Sequence, residues 1–158
     1  MILQAIRDML KKDEYNIYDN ENVEQSKVEE LAKMISLEDE VDLISLFPFD
    51  RFSSKRCWKN LILLIKKMDY PSSLQGLPVL FEFLQDINWP IFEDAIQGIM
   101  SYSRREIVSK LESFLIQAHK EEDEMWISGL WILGERIGIK ISEFRNIDNF
   151  KYFQERDI

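Results

Sequence analysis

The residues best placed to do chemistry gather in the segment LPVLFEFLQDINWPIFEDAIQGIM, residues 77–100. Asp86, Asn88, Trp89 and Pro90 fall where two amphipathic stripes meet, and Glu93 and Asp94 follow directly. Two chemistries suit such a corner. In the first, Asp86 or Asn88 caps the second helix while Trp89 packs between the two. In the second, Trp89 with Asp86, Asn88, Glu93 and Asp94 is a hot spot for a basic protein, because Trp is enriched at interface centres. The packing reading predicts an indole more than half buried, with Asp86 or Asn88 bonded to backbone at the helix start.

The remaining reactive side chains are scattered. His119, the only histidine, stands in AHKEEDE with Glu122 three residues on. Those two would give a metal two ligands, whereas a site needs three or four. At a helix C-terminus a histidine serves the helix dipole instead. Cys57 is the only cysteine and follows Lys55 and Arg56, which favour a thiolate, but His119 is far away in sequence and no base adjoins it. Arg104-Arg105 is a small anion site at most, and more simply joins two helices. No GxGxxG or GxxxxGK occurs among the five glycines. No catalytic residue, metal or cofactor is therefore expected, and the chain does not read as an enzyme.

The charge points to a class of partner. The chain carries 29 acidic and 20 basic residues, net −9. Residues 1–45 hold 12 of the acids and 5 of the bases; between Met68 and Ser103 there is no Lys or Arg. Nucleic-acid binding works through clustered cations that release counterions, so this balance disfavours it. An acidic face favours a basic protein partner, through long-range attraction, although acidic surfaces also simply maintain solubility. One cysteine allows no internal disulfide and fits a reducing compartment. The start, MILQAIRDMLKKDEY, lacks the pattern of a signal peptide. The longest apolar run, Leu61–Ile65, is far short of the ~20 residues that cross a bilayer. A soluble, cytoplasmic protein is expected.

The elements that must position these residues are helical. Apolar spacing predicts helices over residues 2–10, 28–35, 58–68, 77–87, 105–119, 126–137 and 144–153. Ser36 and Asp39 form an S-x-x-D pattern expected to cap a short helix through Leu46, which Pro48 ends. Pro90 suits the first turn of a helix running to Met100. Trp126 and Trp131 read as core. No strand alternation is evident. Leu80, Phe83 and Leu84 recur in spacing as Leu111, Phe114 and Leu115, an echo that suggests stacked helical hairpins; a single bundle is the alternative.

Four pieces together resemble a bacterial domain-of-unknown-function family, 5071: LFPFDRF at 46–52, MDYP at 68–71, FLQDINWP at 83–90 and EDEMWISGLWIL at 122–133. LQDINWP is the most specific. Asp69 stands where that family has Gly before Tyr-Pro, and Gly129-Leu130-Trp131 replaces its Tyr-Trp grouping. The resemblance implies a HEAT-like helical-hairpin fold and transfers no activity.

The expected architecture is all-α: about eight helices in HEAT-like stacked hairpins, with an acidic helical section over 1–45 and the main helical domain over 46–158. The expected function is a non-enzymatic protein-binding module, in its sharpest form an immunity- or antitoxin-type protein holding a basic partner on an acidic surface. An enzyme or small-molecule binder with a pocket near Trp89 and Asp86 is the first alternative. A nucleic-acid protein is the second, and would need Lys55, Arg56, Lys59, Lys66, Lys67, Arg104 and Arg105 to converge.

Overall fold

The computed structural model describes residues Ile2–Gln154, and among them all regular structure is helical. The helices are α1 (Ile2–Leu10), α2 (Gln25–Ser36), α3 (Leu43–Leu46), α4 (Trp58–Lys67), α5 (Leu77–Glu82), α6 (Phe92–Met100), α7 (Arg104–Lys120), α8 (Glu124–Ile137) and α9 (Lys151–Gln154), with short 3-10 turns between several of them. None is long and apolar enough to cross a membrane. Contacts divide the chain into two compact units, Met1–Val79 and Leu80–Ile158. The division expected after residue 45 falls inside the first unit, where α2 packs on both α1 and α4.

In the first unit, Ile6, Leu31, Ala32, Leu61 and Leu64 come from three helices and are fully buried. Each large aliphatic among them contributes about 1.5–3 kcal/mol by leaving water. The polar interval after α1 is held from below by Asn60, itself 3 % exposed. Its amide donates to the carbonyls of Ile17 (3.0 Å) and Asn20 (2.7 Å), so backbone groups that no helix satisfies are still paired.

In the second unit, Ser103 caps α7 by accepting from the Glu106 amide (3.3 Å), and Asp123 caps α8 by accepting from the Trp126 amide (3.1 Å). Between them the chain reverses in three residues, with Glu122 at φ 54°. Gly138 ends α8 in the left-handed conformation (φ 64°) that glycine adopts without a Cβ penalty. Phe81 stacks on Phe114 (5.1 Å, 4°), and Phe114 meets Trp126 at 5.6 Å.

Four local expectations are corrected. Ser36 does not start a helix: it is the last residue of α2, and its hydroxyl donates to the Ala32 carbonyl (2.8 Å). Asp42, adjacent to Leu43 in extended geometry, caps α3 instead, accepting from the amides of Ile44 (3.1 Å) and Ser45 (3.3 Å). The helix predicted to reach residue 87 stops at Glu82, because the Gln85 side chain turns back onto the Glu82 carbonyl (3.0 Å). Pro90 lies ahead of α6, which starts at Phe92. The region 144–153 is no single helix: Glu112 and Asn146 engage the amides of Arg145, Asn146 and Asp148, leaving 3-10 turns and the short α9.

Candidate functional site

The corner between α5 and α6 is built by main-chain turns. The Trp89 amide donates to the Asp86 carbonyl (3.1 Å), and the Phe92 amide donates to that of Trp89 (3.1 Å). The Asp86 carboxylate accepts from the Asn88 amide (2.8 Å), closing an Asx turn. Asp86 thus bonds to backbone, but neither it nor Asn88 caps α6, whose cap position is Ile91 with no side-chain acceptor. Trp89 is partly buried; Asn88, Glu93 and Asp94 are exposed. Glu93 is engaged by Arg136 through both guanidinium nitrogens (2.8 and 3.1 Å), which holds its carboxyl below the usual range. The five candidates for a basic partner therefore share one turn and one helix start, but Glu93 is already answered by a cation of the fold.

The two most specific motifs of the sequence lock onto each other. The Trp126 indole donates to the Phe81 carbonyl (3.1 Å), just ahead of FLQDINWP. Gly129, one helical turn further along α8, lies so close to the Leu84 carbonyl oxygen that a Cβ there would collide with it. Asp123, in the acidic run before Trp126, is the α8 cap. The signature thus describes a helix joint, which spacing alone did not disclose.

The other reactive residues are accounted for similarly. His119 lies in the last turn of α7 and stacks on Tyr152 at 3.8 Å and 15°. Cys57 is buried, and burial pushes its thiol above the ordinary range, the reverse of an activated nucleophile. Trp126 is core at 1 % exposed, whereas Trp131 is only partly buried, against Phe153 at 5.1 Å. Among the described residues no three of His, Cys, Asp and Glu are grouped to hold a metal ion.

A site missed by the sequence reading lies in the first unit. A recess of about 680 Å³ is lined by Glu38, Asp39, Glu40 and Asp42 on one side and Pro71 and Gln75 on the other. Gln75 holds the two sides together, accepting from the Val41 amide and donating to the Asp39 carbonyl (3.3 Å). Asp39 and Glu40 are exposed and Glu38 is half-buried, all three without a salt bridge among the described residues; Asp42 is drawn below the usual range by the Ser45 hydroxyl and amide. Large apolar side chains stand beside it: Leu37 (64 % exposed), Ile44 (37 %) and Tyr70 (70 %), each within two residues of the lining. The signal available beforehand was LEDEVD, an acidic run carrying an apolar residue at its start. Its meaning depended on Pro71 and Gln75, which lie in a distant part of the sequence. Neither this recess nor the basic groove described below is lined by Trp89 or Asp86.

No curated protein and no solved structure matches the chain. A family model does, over residues 59–142, a span that contains the Trp89 corner, the Trp126 bond and the Gly129 contact. The chain belongs to the family described as Domain of unknown function (DUF5071).

Proposed function

We propose that this protein is a non-enzymatic binding module, a cytoplasmic immunity- or antitoxin-type protein whose HEAT-like helical scaffold presents an acidic surface to a basic protein partner. The observation that carries the reading is the recess at Glu38–Asp42. It combines uncompensated carboxylates with exposed Leu37, Ile44 and Tyr70, the mixture of charge and apolar anchors that protein interfaces use. The carboxylates steer a cationic surface and set its orientation; the apolar side chains supply burial once it has arrived. The net charge of −9 extends the attraction beyond the recess.

The test is affinity capture from the native host with the wild-type chain and with the triple variant E38K/D39K/E40K, leaving the helix-capping Asp42 untouched. The expected partner is a basic protein, lost from the triple variant and progressively released as salt is raised, because exposed charges are screened. An acidic partner, or one held equally at all salt concentrations and by the triple variant, overturns the reading.

A further inference from the structure

The second unit contains a groove of opposite character. It has a volume of about 730 Å³ and runs between α7 and the loop after α8. Arg105, Ser109, Glu112, Ser113 and Ile116 line it from α7 at the spacing of one helical face. Arg145, Asn146 and Asn149 line it from the loop.

The arginines of this groove do different things. The Arg104 guanidinium is turned into the fold, gripping both oxygens of Glu143 (2.8 and 2.9 Å) and the carbonyls of Ile137 (2.6 Å) and Gly138 (3.1 Å). That clamp fixes the loop's entry. Glu112 fixes its course: the carboxylate is 8 % exposed and accepts from the amides of Arg145 (2.7 Å) and Asn146 (3.0 Å) and from the Asn149 side chain (2.9 Å). Its charge is thus answered by three donors inside the fold. Arg105 and Arg145 are exposed, and among the described residues neither pairs with a carboxylate, in a chain where acids outnumber bases 29 to 20.

We propose that this groove is a binding site for a phosphorylated small molecule, its phosphate held by Arg105 and Arg145 with the hydroxyl of Ser109, that of Ser113 being bonded back to the Ser109 carbonyl (3.2 Å), and its body against Val108 and Ile116. Two guanidiniums and one hydroxyl offer more donors than one carboxylate can accept, because a single arginine already fills a carboxylate bidentately; a phosphate has the additional oxygens. The volume is within the range of small-molecule sites. Arg104 and Glu112 act as positioning residues, holding the loop so that Arg145 faces α7. The proposal is independent of the acidic recess, which lies in the other unit.

The test titrates the full chain with inorganic pyrophosphate and follows backbone amide resonances. Saturable shifts confined to the first three turns of α7 and to residues 143–149 are expected, with affinity falling about tenfold or more in R105Q/R145Q as charge-assisted bonds are lost. Both side chains are exposed, so the variant should keep the wild-type melting temperature; single R145Q serves as the second variant and should lose part of the affinity. Citrate is the competing probe and should bind more weakly. Equal affinity for citrate overturns the phosphate assignment. Shifts that do not saturate, or a double variant that binds as the wild type does, overturn the site.

Discussion

The indole nitrogen of Trp126 donates to the Phe81 carbonyl across 3.1 Å, while the rings of both residues pack on Phe114. One side chain therefore joins α8 to the end of α5 by a directional bond and an aromatic contact together. Trp126→Phe keeps most of the ring but strands a buried acceptor, which costs about 1–3 kcal/mol. Thermal denaturation should show a loss of roughly 2–4 °C per kcal/mol for a chain of this size. An unchanged melting temperature would mean that another donor takes over the Phe81 carbonyl.

Gly129 faces a different demand. The atom that a Cβ would strike is the Leu84 main-chain oxygen, which cannot rotate away as a side chain does. Gly129→Ala should destabilise by about 3 kcal/mol, at the upper end of overpacking effects. Gly138→Ala, which meets nothing within 4 Å but sits at φ 64°, should cost only about 1 kcal/mol. Chemical denaturation of the pair tests the ranking, and the reverse order would refute it.

Trp89→Ala distinguishes packing from recognition at the α5–α6 corner. Because Trp89 is partly rather than wholly buried, the loss should be about 2 kcal/mol, below the roughly 3–5 kcal/mol of a buried ring. Asp86→Ala, which removes the Asx-turn acceptor, should cost about 1 kcal/mol. If both variants melt with the wild type, the corner is not a packing joint and its side chains belong to a binding surface.

Stability in acid should depend on Glu143. The Arg104 guanidinium, with the Lys140 amide, lowers its pKa from 4.5 to about 2. A carboxyl that is more acidic folded than unfolded contributes fully above its unfolded pKa, and that contribution disappears as pH falls through the folded value. Between pH 4.5 and about 2 the wild type should therefore lose melting temperature more steeply than Glu143→Gln. Both partners are partly solvated, so the difference should be modest and shrink in salt. Parallel curves for the two proteins would exclude this pair as a source of acid sensitivity.

Cys57 should report global opening. Its thiol is 1 % exposed and burial raises its pKa, so both access and thiolate fraction are low. Alkylation at mildly alkaline pH should be slow in the native protein and become fast in step with the unfolding transition. Rapid native-state labelling would show a local opening near the start of α4.

The existence and class of the long helices were legible in the sequence, because burial on one side of a helix imposes a period of about 3.6 residues that no other element shares. Leu111, Phe114, Leu115 and Ala118 predicted α7 within one residue at each end. Family membership was legible too, since LQDINWP and EDEMWISG are local strings. Helix ends were harder. They are decided by acceptors and donors brought from elsewhere, as Glu112 does when it binds amides 33 and 34 residues downstream. The same limit separated residues from roles. Three acids, an amide and an indole near residue 90 looked like a binding surface in one dimension, yet Arg136, 43 positions away, occupies Glu93. Conversely, Glu38–Asp42 became a recess only when Gln75 bridged to it, and Arg105 became part of a groove only when Arg145 was held opposite. Hydrophobic periodicity is a property of neighbours along the chain and is written there; charge compensation and concavity belong to neighbours in space, and only the packed structure decides them.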